Sequence, residues 1–206
     1  LPARLAADLQ HSPADPNWRR EWAPELSYGR HAGPARRDAR AAAVALVLCW
    51  REDGWSVPLT VRCASLTRHG GQVSLPGGMV EAGETMGEAA ARELVEELGV
   101  HVALTPIGEL APLFVFASNA VVTPWLAAID HWPEWIPHPP EVDRVLRLEL
   151  GDLLEQQPAE TILISRGPLM FSAPRMPIEN EAAWGATAAI LGELRGRLQR
   201  INRQRE

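Results

Sequence analysis

One stretch constrains this 206-residue chain more than any other: Leu75 to Val100, LPGGMVEAGETMGEAAARELVEELGV. The spacing predicts a helix from Glu84 to Leu98, stopped by Gly99. With about 100° of turn per residue, Glu93, Glu96 and Glu97 share one face, and Gly87, Ala91, Leu94, Val95 and Leu98 share the opposite one. Carboxylates three and four residues apart repel mildly in water and more strongly where water is excluded. A hard divalent cation would remove that cost, whereas a lone Glu-x-x-Glu-Glu would read as an ordinary solvated acidic face. Ahead of the helix, Pro76, Gly77, Gly78 and Gly83 permit tight turns and let backbone approach an ion or phosphate closely.

The full spacing is Gly78, five residues, Glu84, seven residues, Arg92-Glu93-Leu94, one residue, Glu96-Glu97, one residue, Gly99-Val100. It resembles the signature of the Nudix hydrolases at every defined position. The resemblance implies an α/β fold, the Nudix α/β/α sandwich with a mixed central sheet. It also implies hydrolysis of a nucleoside diphosphate linked to another group, with Mg²⁺ or Mn²⁺ as cofactor. Glu93 and Glu97 would be the leading metal ligands, Glu96 and a Gly77 carbonyl further ones, and Glu84 with Arg92 would hold the cluster in shape. Glu93, Glu96 and Glu141 all stay open as the general base.

Upstream, LTVRCASLTRHGGQVSLPGG sets Arg62, Arg68 and His69 beside Gly70, Gly71 and Gln72. Cationic groups entering a glycine-rich loop suit an anionic substrate; the alternative is scattered surface charge. This stretch is similar to the extra motif of the coenzyme A pyrophosphatase branch. Leu59, Thr60 and Arg62 match its start, and Leu66, His69, Gly71, Gln72, Val73, Pro76, Gly77 and Gly78 match its end. Pro58, Cys63 and Leu75 depart from it, and Thr67 stands where the branch carries an arginine, leaving Arg68 one place later. The resemblance marks Arg62, Arg68, His69, Gly71, Gln72 and Gly78 as substrate-binding.

Farther on, Ser118 to Pro124, Pro139-Pro140-Glu141-Val142 and Trp184-Gly185-Ala186-Thr187 resemble the same branch. Glu141 reads either as a glutamate outside the helix that reaches the site or as a helix-start or surface residue. The substrate implied is coenzyme A or an acyl derivative, cleaved to 3′,5′-ADP and 4′-phosphopantetheine. An ADP-ribose or related hydrolase is the alternative, and its marker proline, expected near Val115, is absent. A nucleotide-sensing module without turnover would carry a broken acidic helix; this helix is intact.

A hydrophobic share of 46% supplies one core, so residues 39–206 read as one domain, with 1–38 as an irregular extension packed on it. The net charge of −6 argues against a general nucleic-acid binder. All 20 basic residues are Arg, so lysine chemistry is unavailable. Cys49 and Cys63 are too few for a disulfide framework, and no apolar run is of membrane length. These points lead to the expectation of a reduced, cytoplasmic protein whose partner is a small-molecule nucleotide, with no nucleic acid and no membrane. The resemblance admits a homodimer.

Along the chain, Leu1 to Gln10 reads as a short helix and Pro13 to Pro34 as irregular, with Trp18 and Trp22 anchoring to the core. A buried strand from Arg40 turns at Glu52-Asp53-Gly54 into a second strand, Trp55 to Arg62. Turn and strand signals run from His101 to Leu113, a further strand covers Ala120 to Ile129, and Asp130 to Pro140 is a stiff Trp/Pro loop whose His131 and His138 read as exposed. From Ile178 the apolar spacing is helical, with Arg195, Arg197, Arg200, Arg203 and Arg205 expected on a solvated basic face.

Overall fold

Strand β1 (Arg40–Arg51) is buried on both faces, which is why its apolar run is continuous instead of alternating. It belongs to a computed structural model that describes residues 1–24, 34–66, 69–166 and 169–204. Glu52 and Asp53 make a two-residue turn into β2 (Gly54–Arg62), with the Trp50 and Trp55 rings 5.1 Å apart beside it. Beyond the pair Cys49↔Ser56 this hairpin opens into a fork. One arm is filled by β3 (Val73–Ser74), antiparallel to β2 at Thr60 and Val61, and the other by β4 (Gly77–Met79), antiparallel to β1 at Ala42 to Val44. Between them, the Pro76 carbonyl accepts the Ala45 N–H at 2.8 Å.

The sheet is completed by β5 (Thr105–Glu109) and β6 (Leu113–Val115), both antiparallel to β7 (Ala120–Ile129), and by β8 (Val142–Glu149) along β2. Because β7 runs parallel to β1, the sheet is mixed, with the order β3-β2-β1-β7-β5. Two separate hairpins follow, β9 (Thr161–Arg166) with β10 (Leu169–Pro174) and β11 (Met176–Ile178) with β12 (Glu181–Ala183).

Five helices are described: α1 (Pro2–His11), α2 (Asn17–Arg20), α3 (Met86–Leu98), α4 (Leu150–Glu155) and α5 (Gly185–Arg203). Side chains alternate along a strand, and β1 divides its own between two cores. Leu46 and Leu48 pack with Leu5, Trp22, Leu153, Leu191 and Leu194. Ala43, Ala45, Val47 and Cys49 pack with Ala89, Ala90, Leu94 and Leu98 of α3. The architecture is therefore an α/β/α sandwich with a mixed central sheet. Among the described residues no helix is long and apolar enough to cross a membrane.

Several expectations are corrected. α5 starts at Gly185, not near Ile178, because the β11–β12 hairpin occupies the residues before it. Its arginines do not form a solvated face. Arg195 and Arg197 are buried, since α4 lies against the side of this helix that carries the first, and α1 and α2 against the side that carries the second. Arg197 donates to Asp8 at 2.8 Å and to Glu193 at 3.0 Å, Arg200 donates to Asp8 at 2.7 Å, and Arg19 pairs with Glu193 at 2.6 Å. Arg203 is exposed and Arg205 lies outside the described residues. The segment after Pro13 is not wholly irregular, because α2 forms within it. Trp22 is fully buried, and Trp18 lies on Gly196, where a Cβ would overlap the indole. Residues 25–33 of this segment lie outside the described ones.

Candidate active site

Helix α3 begins two residues later than expected, because Thr85 caps it. The Thr85 hydroxyl accepts the Glu88 N–H at 3.2 Å, and the Glu88 carboxylate accepts the Thr85 N–H at 2.8 Å. Gly99, left-handed at φ 65°, closes the other end. Glu84 is thus fixed in the preceding turn, where it accepts from the Glu81 N–H at 2.9 Å and from Arg92 Nε at 2.8 Å.

Arg92 is a hub. Its Nη1 donates to Glu93 Oε1 at 2.9 Å and Glu96 Oε2 at 3.1 Å, and its Nη2 to Glu84 at 3.1 Å and the Met79 carbonyl at 3.0 Å. One planar fork thereby ties the turn, β4 and the acidic side of the helix together. Hydrogen bonds from Arg92 hold the Glu84 carboxyl below the usual carboxylate range.

The three helix glutamates, expected together on one face, differ in exposure. Glu96 is exposed and Glu93 half-buried, but Glu97 is 2% exposed. Positions 90, 94 and 97 fall within an arc of about 60° on a helix, and the core follows that line. Ala91 and Val95, expected to pack, lie off it and are half-buried. Glu97 Oε1 accepts from Arg62 Nη1 at 3.4 Å. Its Oε2 is buried without a hydrogen-bond partner among the described residues. Burial pushes the Glu97 carboxyl up to about 7; the Arg62 charge and the Gly77 backbone N–H work against this, and the charges of Glu93 and Glu141 add to it. Glu93 is also raised by burial, opposed by Arg92 and reinforced by Glu96 and Glu141.

The glycines ahead of the helix answer to close approach. A Cβ on Gly78 would overlap the Glu93 carboxylate, and one on Gly77 would overlap the Ala43 carbonyl and Val44. Glu141 is exposed, and its charge is felt by both Glu93 and Glu97. The loop that delivers it crosses the end of α3, where the Ile136 N–H donates to the Leu98 carbonyl and the His138 N–H to the Glu97 carbonyl, both at 2.9 Å. These bonds satisfy terminal carbonyls of the helix. Trp132 and Trp135 stack edge-on at 5.7 Å and pack on the α3 core, while His131 and His138 are exposed.

The upstream loop closes on Arg62, whose N–H donates to the Gln72 carbonyl at 3.0 Å and whose carbonyl accepts the Gly71 N–H at 2.9 Å. His69, at φ 59°, bonds Gln72 Oε1 through Nδ1 at 2.9 Å. Arg62 is turned to Glu97, so the structure pairs this guanidinium with a carboxylate. Thr67 and Arg68 lie outside the described residues. Met79, Cys63 and the His138 backbone also hold the site together. Main-chain partners of this kind carry no side-chain signature, and Cys63 stands out in the sequence only as a departure from a motif.

An unpaired buried carboxylate oxygen beside a second carboxyl raised by burial is what a divalent cation would satisfy, and hard oxygen donors suit Mg²⁺ or Mn²⁺. The residues fit such an ion. Among the described residues no three His, Cys, Asp or Glu side chains already form a metal-binding cluster, and Glu93 and Glu96 are held on Arg92.

The NUDIX domain profile matches residues 39–163, more than half of the chain. The chain is 28% identical over 143 residues to the Nudix hydrolase NudL of Photorhabdus laumondii, covering 68% of this chain and 76% of that protein. It is 28% identical over 157 residues to NudL of Yersinia pestis, covering 75% and 77%. The fold is similar to that of RenU, a Nudix hydrolase from M. smegmatis, with a TM-score of 0.55 at 18% identity over 81% of this chain and 87% of that one. A MutT/nudix family protein from Enterococcus faecalis gives a TM-score of 0.53 at 17% identity over 89% and 73%. Because the profile spans the forked sheet, the Arg92 hub and the acidic helix together, the chain belongs to the Nudix hydrolase family and is a pyrophosphohydrolase.

Proposed function

We propose that the protein hydrolyses the diphosphate of coenzyme A or an acyl-coenzyme A, releasing 3′,5′-ADP and (acyl-)4′-phosphopantetheine, with Mg²⁺ or Mn²⁺ as cofactor. The observation that carries the reaction class is Glu97, a buried carboxylate with one oxygen unpaired among the described residues. Such a group costs stability and is a mark of function. Glu93 and Glu97 would hold the ion, with Glu96 and the Gly77 carbonyl as further oxygen donors. When bound, the ion neutralises diphosphate charge and activates water. The chain does the positioning. Arg92 orients Glu93 and Glu96, and Glu84 with the Met79 carbonyl orients Arg92. With those two glutamates engaged, Glu141 is assigned the proton of the attacking water.

The substrate rests on the motif from Leu59 to Gly78. Arg62, Arg68, His69, Gly71, Gln72 and Gly78 would form the side that receives the anion. The test offers coenzyme A, ADP-ribose, NADH and a nucleoside triphosphate in parallel, each with Mg²⁺ or Mn²⁺, beside Glu97→Gln. The expected product is 3′,5′-ADP from coenzyme A, formed about 100-fold more slowly or worse by the variant. ADP-ribose turnover with coenzyme A untouched would reject the substrate and keep the chemistry. Undiminished turnover by Glu97→Gln would reject the metal site.

A further inference from the structure

The turn His138–Glu141 brings Glu141 to the helix glutamates, and it is held from two sides. On the α3 side, the His138 N–H donates to the Glu97 carbonyl at 2.9 Å. On the β2 side, one residue holds it twice. The Cys63 N–H donates to the Glu141 carbonyl at 2.9 Å, and Cys63 Sγ donates to the Pro139 carbonyl at 2.8 Å. The turn has few donors of its own. Pro139 and Pro140 have no N–H, and the N–H groups of Glu141 and Val142 both go to the His138 carbonyl at 2.9 Å.

The ladder between β2 and β8 cannot supply the missing restraint. Its register shifts between Val61 and Arg62, Val61 facing Arg144 and Arg62 facing Val142. Regular pairing is interrupted by a bulge at Asp143, and Glu141 lies just before Val142, the first paired residue of β8. Cys63 takes up the chain just beyond. Its neighbour Arg62 reaches Glu97 Oε1, so consecutive residues at the end of β2 hold Glu97 and the Glu141 turn respectively. The end of β2 is therefore a spacer between them.

We propose that Cys63 is a positioning residue for the hydrolysis, its thiol acting as the latch that sets Glu141 against Glu93 and Glu97. The proposal rests on the assignment of the proton step to Glu141. Misplacing a reacting group by about 1 Å can cost on the order of 100-fold in rate. Loss of one latch bond, with the Cys63 N–H bond retained, is expected to cost about 10-fold. A serine can donate to the same carbonyl and should restore the latch.

The experiment compares the parent protein with Cys63→Ala, Cys63→Ser, Glu141→Gln and the Cys63→Ala/Glu141→Gln double variant. It measures kcat and KM with Mg²⁺ on the best substrate of the panel above, and amide hydrogen exchange over residues 136–142 without metal. Cys63→Ala should lower kcat about 10-fold with KM within about twofold, and should speed exchange at Glu141 and Val142. Cys63→Ser should match the parent in both. The double variant should be no slower than Glu141→Gln alone. An impaired Glu141→Gln beside a Cys63→Ala with unchanged kcat and exchange would overturn the latch, as would additive losses in the double variant. A parental kcat in Glu141→Gln would instead fail the reading of Glu141 and, with it, the catalytic purpose of the latch.

Discussion

Glu97 carries its burial as a pH dependence. In the unfolded chain it ionises near the ordinary 4.5, and in the folded protein near about 7. Between these values the unfolded state has lost a proton that the folded state keeps, so stability falls as pH rises through the window, by up to about 3 kcal/mol. Urea denaturation of metal-free protein should therefore show a lower midpoint at pH 8 than at pH 5.5. Glu97→Gln should lack this component, and a bound divalent cation should offset it by stabilising the folded state. Gly78 is the second sensitive residue. Its alanine variant must displace Glu93, so turnover is expected to fall about 100-fold while near-ultraviolet circular dichroism still reports a folded core.

Two helices carry opposite kinds of constraint. α3 is specified by its ends, the Thr85 and Glu88 capping box and the left-handed Gly99. Thr85→Ala should cost about 1 kcal/mol in a denaturation measurement. It should also loosen the Arg92 hub, which depends on where the first turn begins. α5 is specified by what lies on it. Gly192 and Gly196 meet Trp22 and Trp18 without room for a Cβ, so Gly196→Ala is an overpacking change expected to cost about 1–3 kcal/mol. The small residues let α2 approach closely enough for Arg19 to reach Glu193.

In the whole molecule, α1 and the turn that follows α2 are part of the core. Leu5 and Trp22 are fully buried in the cluster shared with α5, and Asp8 neutralises Arg197 and Arg200. Burial works against ionisation of Asp8, but the hydrogen bonds and charges of Arg200 and Arg197 outweigh it and hold its carboxyl below the usual range. Its contribution is present above the ordinary carboxylate pKa and is lost as pH falls below it, an acid limit opposite in sign to the Glu97 effect. Asp8→Ala should cost about 3–5 kcal/mol, because it leaves a buried guanidinium short of its counter-charge. A chain beginning at Ala39 retains the whole NUDIX match. It is nevertheless expected to lose cooperative unfolding, because the α5 residues that the N-terminal segment covers, Gly192, Glu193, Gly196 and Arg197 among them, would face water.

Local pattern sufficed for much of this protein. The bounds of β7, the turn at Glu52-Asp53, the stop at Gly99 and the placing of Arg92, Glu93, Glu96 and Glu97 on one helix follow from hydrophobic period, turn chemistry and helical spacing. All of these act between residues near in the chain. Tertiary structure alone decided that Glu97 is buried and Glu96 exposed, that Arg62 stands over Glu97, that Cys63 reaches Pro139, and that Asp8 neutralises the arginines of α5. The pattern of charges along a helix is the same whether water or another segment lies against it. The free energy of each charge depends on that neighbour, and only the folded chain supplies it.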